Sequence, residues 1–140
     1  MPQPSGWGAG NTRQTKSPVT QHMDRLEVRT GIDLVRLAEF QHSLQDGGEA
    51  LLRRLFHPSE VQGASVERLA GIFAAKEAAY KALSLPKGDW HVIEIRYTPD
   101  GKPSLAFGPE YDASRVVSCD LSISHHGEYV VASVVALLRA

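Results

Sequence analysis

The segment YVVASVVALL, residues 129–138, is apolar throughout except at Ser133. Successive side chains of a strand point to opposite faces. A run this apolar therefore predicts a strand buried on both faces, inside a sheet with cover above and below. The rest of the chain must supply pairing strands and a layer to pack on them. VVSCDLSIS, residues 116–124, is the first such partner, and His125-His126-Gly127-Glu128 between the two segments predicts the turn of a hairpin. Along that partner Ser118, Asp120, Ser122 and Ser124 share one face, which is expected to be wet, while Cys119, Leu121 and Ile123 share the other.

Upstream, WHVIEIRYT and KPSLAF flank Pro99-Asp100-Gly101, in which proline fixes one φ and glycine frees another, so a second hairpin is predicted. Near the start, RLEVRTGID alternates Leu26, Val28, Thr30 and Ile32 as a strand does. In LVRLAEFQHSL, directly after it, Leu34, Leu37, Phe40 and Leu44 recur at helical spacing, which puts Asp33 at a strand-to-helix junction. A second helix is expected in EALLRRLF, stopped by His57-Pro58, with Ser59 as the cap of a short helix behind it. The longest helix is ERLAGIFAAKEAAYKALSL, ended by Pro86. The prediction is an α+β single domain of one N-terminal strand, three helices and two C-terminal β-hairpins. Residues 1–22, rich in Pro, Gly, Ser, Thr and Gln and without apolar periodicity, are expected to be a flexible tail, leaving 23–140 as the domain.

A net charge of −1 gives no broad basic field, which argues against a nucleic-acid partner. No run reaches the about 18 apolar residues of a membrane span, and no apolar leader segment opens the chain. The single cysteine, Cys119, rules out an internal disulfide and suits a reducing cytoplasm; its place in an alternating strand favours a core thiol over a nucleophile.

The chemistry-bearing residues are few. FAAKEAAYKAL, residues 73–83, sets Lys76, Glu77 and Lys81 in small apolar company. Glu77 and Lys81 make an ordinary i,i+4 pair, worth about 0.2–0.5 kcal/mol. Alternatively, Glu77 and Asp33 meet across packed elements and suit a hard, oxygen-preferring cation such as Mg²⁺. Asp33 also has a plain reading as the cap of the next helix. Lys76 and Lys81 either flank a polyphosphate or lie solvated. His125 and His126 are placed to donate to an anion or to exchange protons near pH 7, or are simply exposed in a turn. Glu60 is either a proton acceptor or, on the plainer reading, an exposed acid opening a short helix. No Walker or Rossmann loop is present, and no Cys/His set has zinc spacing.

Taken in order, GIDLVRLAEF, RLFHPSE, FAAKEAAYKAL, DGKP and SISHHGEYVVASVV resemble the holo-acyl-carrier-protein synthases, the small bacterial-type 4′-phosphopantetheinyl transferases, over residues 26–138. The resemblance implies that fold and a transfer of the phosphopantetheine arm from coenzyme A to a serine of an acyl carrier protein or carrier domain, in fatty-acid or polyketide synthesis, releasing adenosine 3′,5′-bisphosphate. It implies that Asp33 and Glu77 bind Mg²⁺, that Lys81 contacts the pyrophosphate, and that Lys76 and His125 stand near the coenzyme. It further implies a homotrimer with sites between subunits.

The chain departs from the family pattern in places. Ile72 stands where an arginine usually precedes Phe-Ala-Ala-Lys-Glu-Ala, and LSLPKGDW replaces a glycine-rich loop, with Lys87 as a substitute cation. Glu39 stands before Phe40 where an arginine is common, leaving Arg36, Arg53 and Arg54 to meet an acidic carrier. The alternative is a coenzyme- or carrier-binding scaffold that has lost turnover. Retention of Asp33, Glu77 and Lys81 favours the enzyme, since a scaffold has no use for clustered acids.

Overall fold

The computed structural model describes residues 25–140, so the expectations for the tail and for a domain start at Met23 lie outside the described residues. Three strands, β1 (Leu26–Arg36), β4 (Val116–His126) and β5 (Tyr129–Arg139), form an antiparallel sheet in the order β1-β5-β4. β2 (Ile93–Tyr97) and β3 (Pro103–Phe107) form a separate hairpin. Between β1 and β2 come α1 (Leu37–Leu55), the one-turn α2 (Pro58–Val61) and the long α3 (Val66–Leu83).

β1 runs three residues past the expected end. Leu34, Val35 and Arg36 stay in the ladder opposite Val131, Val130 and Tyr129, so cross-strand pairing overrides the helical spacing that Leu34 shares with Leu37. Asp33 consequently lies inside a strand and caps nothing. α1 starts at Leu37, whose amide donates to the Glu128 carbonyl at 2.8 Å. The two helices expected here are one element broken at Gly48, which sits at φ 59°. Ser59 lies within α2, and His57 takes the cap position, its amide donating to Glu60 Oε1 at 2.7 Å. Glu60 is therefore not the exposed acid expected, being 4% accessible.

α3 is capped by Ser65, which accepts from the Arg68 amide, and ends at Ser84 in the left-handed region. Its alanines 70, 74, 75, 78 and 79 are fully buried, because the helix is covered on several sides. Val130, Ala132, Val134 and Ala136 of β5 are buried on the sheet face that α3 covers. The small side chains on both surfaces let helix and sheet approach closely, a packing that only such residues allow.

The other sheet face corrects the expectation for β5. Val131 and Leu137 are half-buried and Val135 is exposed, so one face of β5 is sealed and the other is not. Residues directly opposite in a ladder share a face, which makes the outer face continuous from Val28 and Leu34 on β1 through Val135 to Ser118, Asp120, Ser122 and Ser124 on β4. Val28 is 67% exposed and Leu34 63%. His125 and His126, expected in the turn, are the last residues of β4, paired with Val130 and Tyr129.

Candidate active site

The inner face of β1 carries Gly31, Asp33 and Val35, two residues apart along the strand. α3 crosses over it with Glu77 and Lys81 one turn apart. Lys81 Nζ donates to the Ile32 carbonyl at 2.8 Å and to Asp33 Oδ1 at 3.2 Å. The expected i,i+4 pair of Glu77 with Lys81 is therefore replaced by a pair across the crossing, with Lys81 half exposed and Asp33 largely enclosed.

Glu77 is left as the undercompensated acid. Burial pushes its carboxyl above the usual range and the nearby Asp33 charge pushes it further, against the opposing pull of Lys81 and Lys87. Two carboxylates that repel each other, one of them partly desolvated, suit a divalent cation. Among the described residues no cluster of three or more His, Cys, Asp or Glu side chains exists to hold a metal. The donor set is thus two carboxylates, which fits Mg²⁺ bound through one or two protein oxygens with water and phosphate completing the shell, and does not fit zinc.

Two cavities meet at Glu77 and share Trp90 as a wall. One, of about 470 Å³, runs from Asp33 and Glu77 over Phe40, Phe73 and Leu55, with Arg36 and Arg54 in its lining. The other, of about 310 Å³, lies on the Lys81 side, between Tyr80, Lys81, Leu85 and Lys87. A larger apolar hollow of about 600 Å³ between Leu52, Phe56, Pro58 and His91 takes in Arg53 but none of the residues expected to meet metal or coenzyme. Charge rather than volume decides where chemistry is feasible, and the titratable groups converge at Glu77.

The remaining expected residues are elsewhere. Lys76 is fully buried, and its ammonium donates to Glu60 Oε1 at 2.6 Å, to the Leu55 carbonyl at 2.9 Å and to the Trp90 carbonyl at 3.1 Å. All three of its protons are engaged, and Lys76 ties α3 to α1, α2 and the Trp90 segment, away from the carboxylate pair. Burial lowers its pKa, with Glu60 opposing. His125 Nδ1 lies 3.0 Å from Glu67 Oε1. Glu67 and Glu77 are ten residues apart on α3, about 15 Å by helical rise, so one chain does not bring His125 to the carboxylates. Ile72 is in the core, 1% exposed. Cys119 is half-buried, with burial raising its thiol pKa, which fits the core reading.

Sequence reasoning missed Tyr80 and Trp90 as walls of the site and Glu60 as a buried partner. The last had a signal, because Pro58 at the first helical position and Glu60 two residues on form the pattern of a capping box.

This geometry has relatives. The sequence model of the 4′-phosphopantetheinyl transferase superfamily matches residues 29–134. The chain belongs to that superfamily. It is 37% identical over 120 residues to a holo-[acyl-carrier-protein] synthase of Koribacter versatilis, spanning 76% of this chain and 94% of the relative. A namesake from Frankia alni is 38% identical over 114 residues, spanning 78% and 96%. Among solved structures, the Helicobacter pylori holo-[acyl-carrier-protein] synthase in complex with coenzyme A matches with a TM-score of 0.71 at 31% identity, covering 76% of this chain and 98% of that one. In this superfamily member no helix among the described residues is long and apolar enough to cross a membrane.

Proposed function

We propose that this protein transfers the 4′-phosphopantetheine arm of coenzyme A to a serine of an acyl carrier protein, in a Mg²⁺-dependent reaction that leaves adenosine 3′,5′-bisphosphate. The observation that carries this reading is the convergence of Asp33, Glu77 and Lys81 where β1 crosses α3. Relatives named holo-[acyl-carrier-protein] synthase, and a structural neighbour in complex with coenzyme A, support the substrate pair.

In the transfer, the serine hydroxyl releases its proton to solvent as its oxygen bonds to the phosphorus that bears the pantetheine arm, and the bond from that phosphorus to the bridging oxygen breaks. Negative charge grows on the departing phosphate. Asp33 and Glu77 hold the metal, which supplies Lewis-acid neutralisation of the phosphate oxygens. Lys81, whose ammonium is held by the Ile32 carbonyl and Asp33, presents its remaining donor to the diphosphate and offsets the charge that develops there. Arg36 and Arg54, in the wall of the cavity beside Asp33, suit an acidic carrier; the carrier belongs to fatty-acid or polyketide synthesis in a reducing cytoplasm.

The working unit in this reading is a homotrimer. Its support is the outer face of the sheet, where Val28, Ile32, Leu34 and Val135 are all exposed and adjoin one another, an apolar patch of the kind that interfaces cover. His125, remote from Glu77 within one chain, then serves the site of a neighbouring copy.

The test is incubation with coenzyme A, Mg²⁺ and a panel of apo carrier proteins, read by intact mass, with Glu77→Ala alongside. An adduct of one phosphopantetheine that disappears in Glu77→Ala is the expected result. No adduct on any carrier, together with no coenzyme A binding, would overturn the transferase and leave the scaffold.

A further inference from the structure

The cavity of about 310 Å³ beside Glu77 is walled by Tyr80, Lys81, Leu85, Lys87 and Trp90. Tyr80 lines it and is 7% exposed, yet its hydroxyl is the buried side-chain polar atom without a hydrogen-bond partner among the described residues. Buried polar groups are nearly always paired, and leaving one unpaired is costly. Packing does not need this hydroxyl. The ring sits tilted against Trp90 with centroids 5.2 Å apart, a contact phenylalanine would make equally well.

The missing partner must therefore come from outside the described residues, and the surroundings restrict its chemistry. Burial, with the charges of Asp89 and Glu77, pushes the phenol up to about 12, so at neutral pH the hydroxyl keeps its proton and donates. Lys81 and Lys87 line the same cavity. Lys81 has spent two donors on Ile32 and Asp33, leaving one. Two ammonium groups and one neutral O–H suit an anion with several acceptor oxygens. The irregular segment 84–92 contributes Leu85, Lys87 and Trp90 to the same lining.

We propose that the Tyr80 hydroxyl donates a hydrogen bond to a diphosphate oxygen of coenzyme A held between Lys81 and Lys87. This deepens the transferase reading and rests on it. The Tyr80 hydroxyl is then a destabilising group of the free protein that the ligand satisfies, and Lys87 is a second cation of the same site.

Tyr80→Phe separates this from the alternative of a trapped water. Thermal unfolding without ligand is expected to be unchanged or shifted upward, because only an unpaired hydroxyl is lost. Calorimetric titration with coenzyme A is expected to weaken by about tenfold, the scale of a hydrogen bond to a charged acceptor. Lys87→Met is expected to weaken it further in the double variant. Adenosine 3′,5′-bisphosphate, which lacks the diphosphate, is expected to lose less. Coenzyme A affinity in Tyr80→Phe within about twofold of the parent would assign the hydroxyl to a trapped water, and a lowered melting temperature would assign it to the fold; either overturns the proposal. Failure of the transferase reading shows separately, in the parent protein's own binding and transfer.

Discussion

A methyl group at position 31 would stand 1.9 Å from the Ala78 carbonyl oxygen and 3.0 Å from the Ala82 amide nitrogen. β1 and α3 thus cross backbone against backbone at Gly31, and Asp33, two residues on and on the same face, is carried to Lys81. Gly31→Ala has no flexible side chain to displace, so the strand must lift from the helix. The expected cost is about 1–3 kcal/mol in stability, the usual scale of overpacking, with a fall in kcat/KM as Asp33 moves from Glu77. Gly71→Ala is the comparison, since there a methyl meets side-chain carbons rather than backbone, Ile123 Cγ2 at 3.1 Å and Val130 Cγ1 at 3.7 Å. Denaturant midpoints and transfer rates of the two variants, side by side, check the difference.

Removing either carboxylate is expected to act on the chemical step. Glu77→Ala and Asp33→Asn should each lower kcat by about 10²–10³-fold, the loss typical when one stabiliser of transition-state charge is deleted. Lys81→Met should fall in the same range, and it also frees Asp33 from its partner. Steady-state transfer to an apo carrier over a range of Mg²⁺ concentrations measures this. Full activity of Glu77→Ala at any Mg²⁺ concentration would contradict the assigned role.

Glu77 also has a signature in the metal-free protein. Its folded pKa lies above its unfolded one, so the folded chain holds that proton more tightly, and the resulting stabilisation is complete below the ordinary carboxylate range. It is lost as pH rises through the raised value. Glu77→Gln, which carries no titrating group, is expected to melt above the parent at about pH 8 and to converge with it near about pH 4. Added Mg²⁺ should raise the parent and not the variant.

Lys76 predicts the opposite pattern from a coenzyme ligand. Lys76→Met strands the Glu60 carboxylate in the core, where it otherwise receives Lys76 Nζ and the amides of His57 and Ile95. The expected loss is about 3–5 kcal/mol. Converting Glu60 to Gln as well should recover part of it, and a double-mutant cycle by urea unfolding reads the coupling. Where folded protein survives, its KM for coenzyme A is expected to match the parent.

The outer sheet face makes a prediction about assembly. Val28→Asp and Val135→Asp change side chains that are exposed in one chain, so the fold should persist while the sedimentation mass falls from three copies to one. Mixing Glu77→Ala with His125→Ala subunits should restore activity that neither has alone, because some mixed sites draw an intact residue from each. Mixtures as inactive as their components would put the whole site within a single chain.

Much of this architecture was legible because it is local. Pro99-Asp100-Gly101, the alternation of β4 and the alanine-rich α3 each carry their own period or turn chemistry. What escaped depends on partners distant in sequence. Leu34 has helical spacing but pairs with Val131, and only the ladder decides between them. Lys76 reads as a surface charge until Glu60, sixteen positions away, and two carbonyls are seen to enclose it. Asp33, Glu77 and Lys81 could be named as candidates from residue type, yet that Lys81 turns to Asp33 rather than to Glu77 follows from the close crossing at Gly31. The apolar character of β5 was read as a demand for two-sided cover, and the described residues supply only half of it.

Lys76 and Glu77 are consecutive, so their side chains leave α3 about 100° apart. One is clamped by three acceptors in the core and the other stands beside Asp33. The clamp therefore fixes the angular phase of the whole helix. A rotation by one residue would drive Glu77 into the protein and swing the ammonium outward, at a cost the buried pair makes prohibitive. The buried lysine acts as the key that indexes the shaft, and the aim of the carboxylate beside it is set from inside the protein.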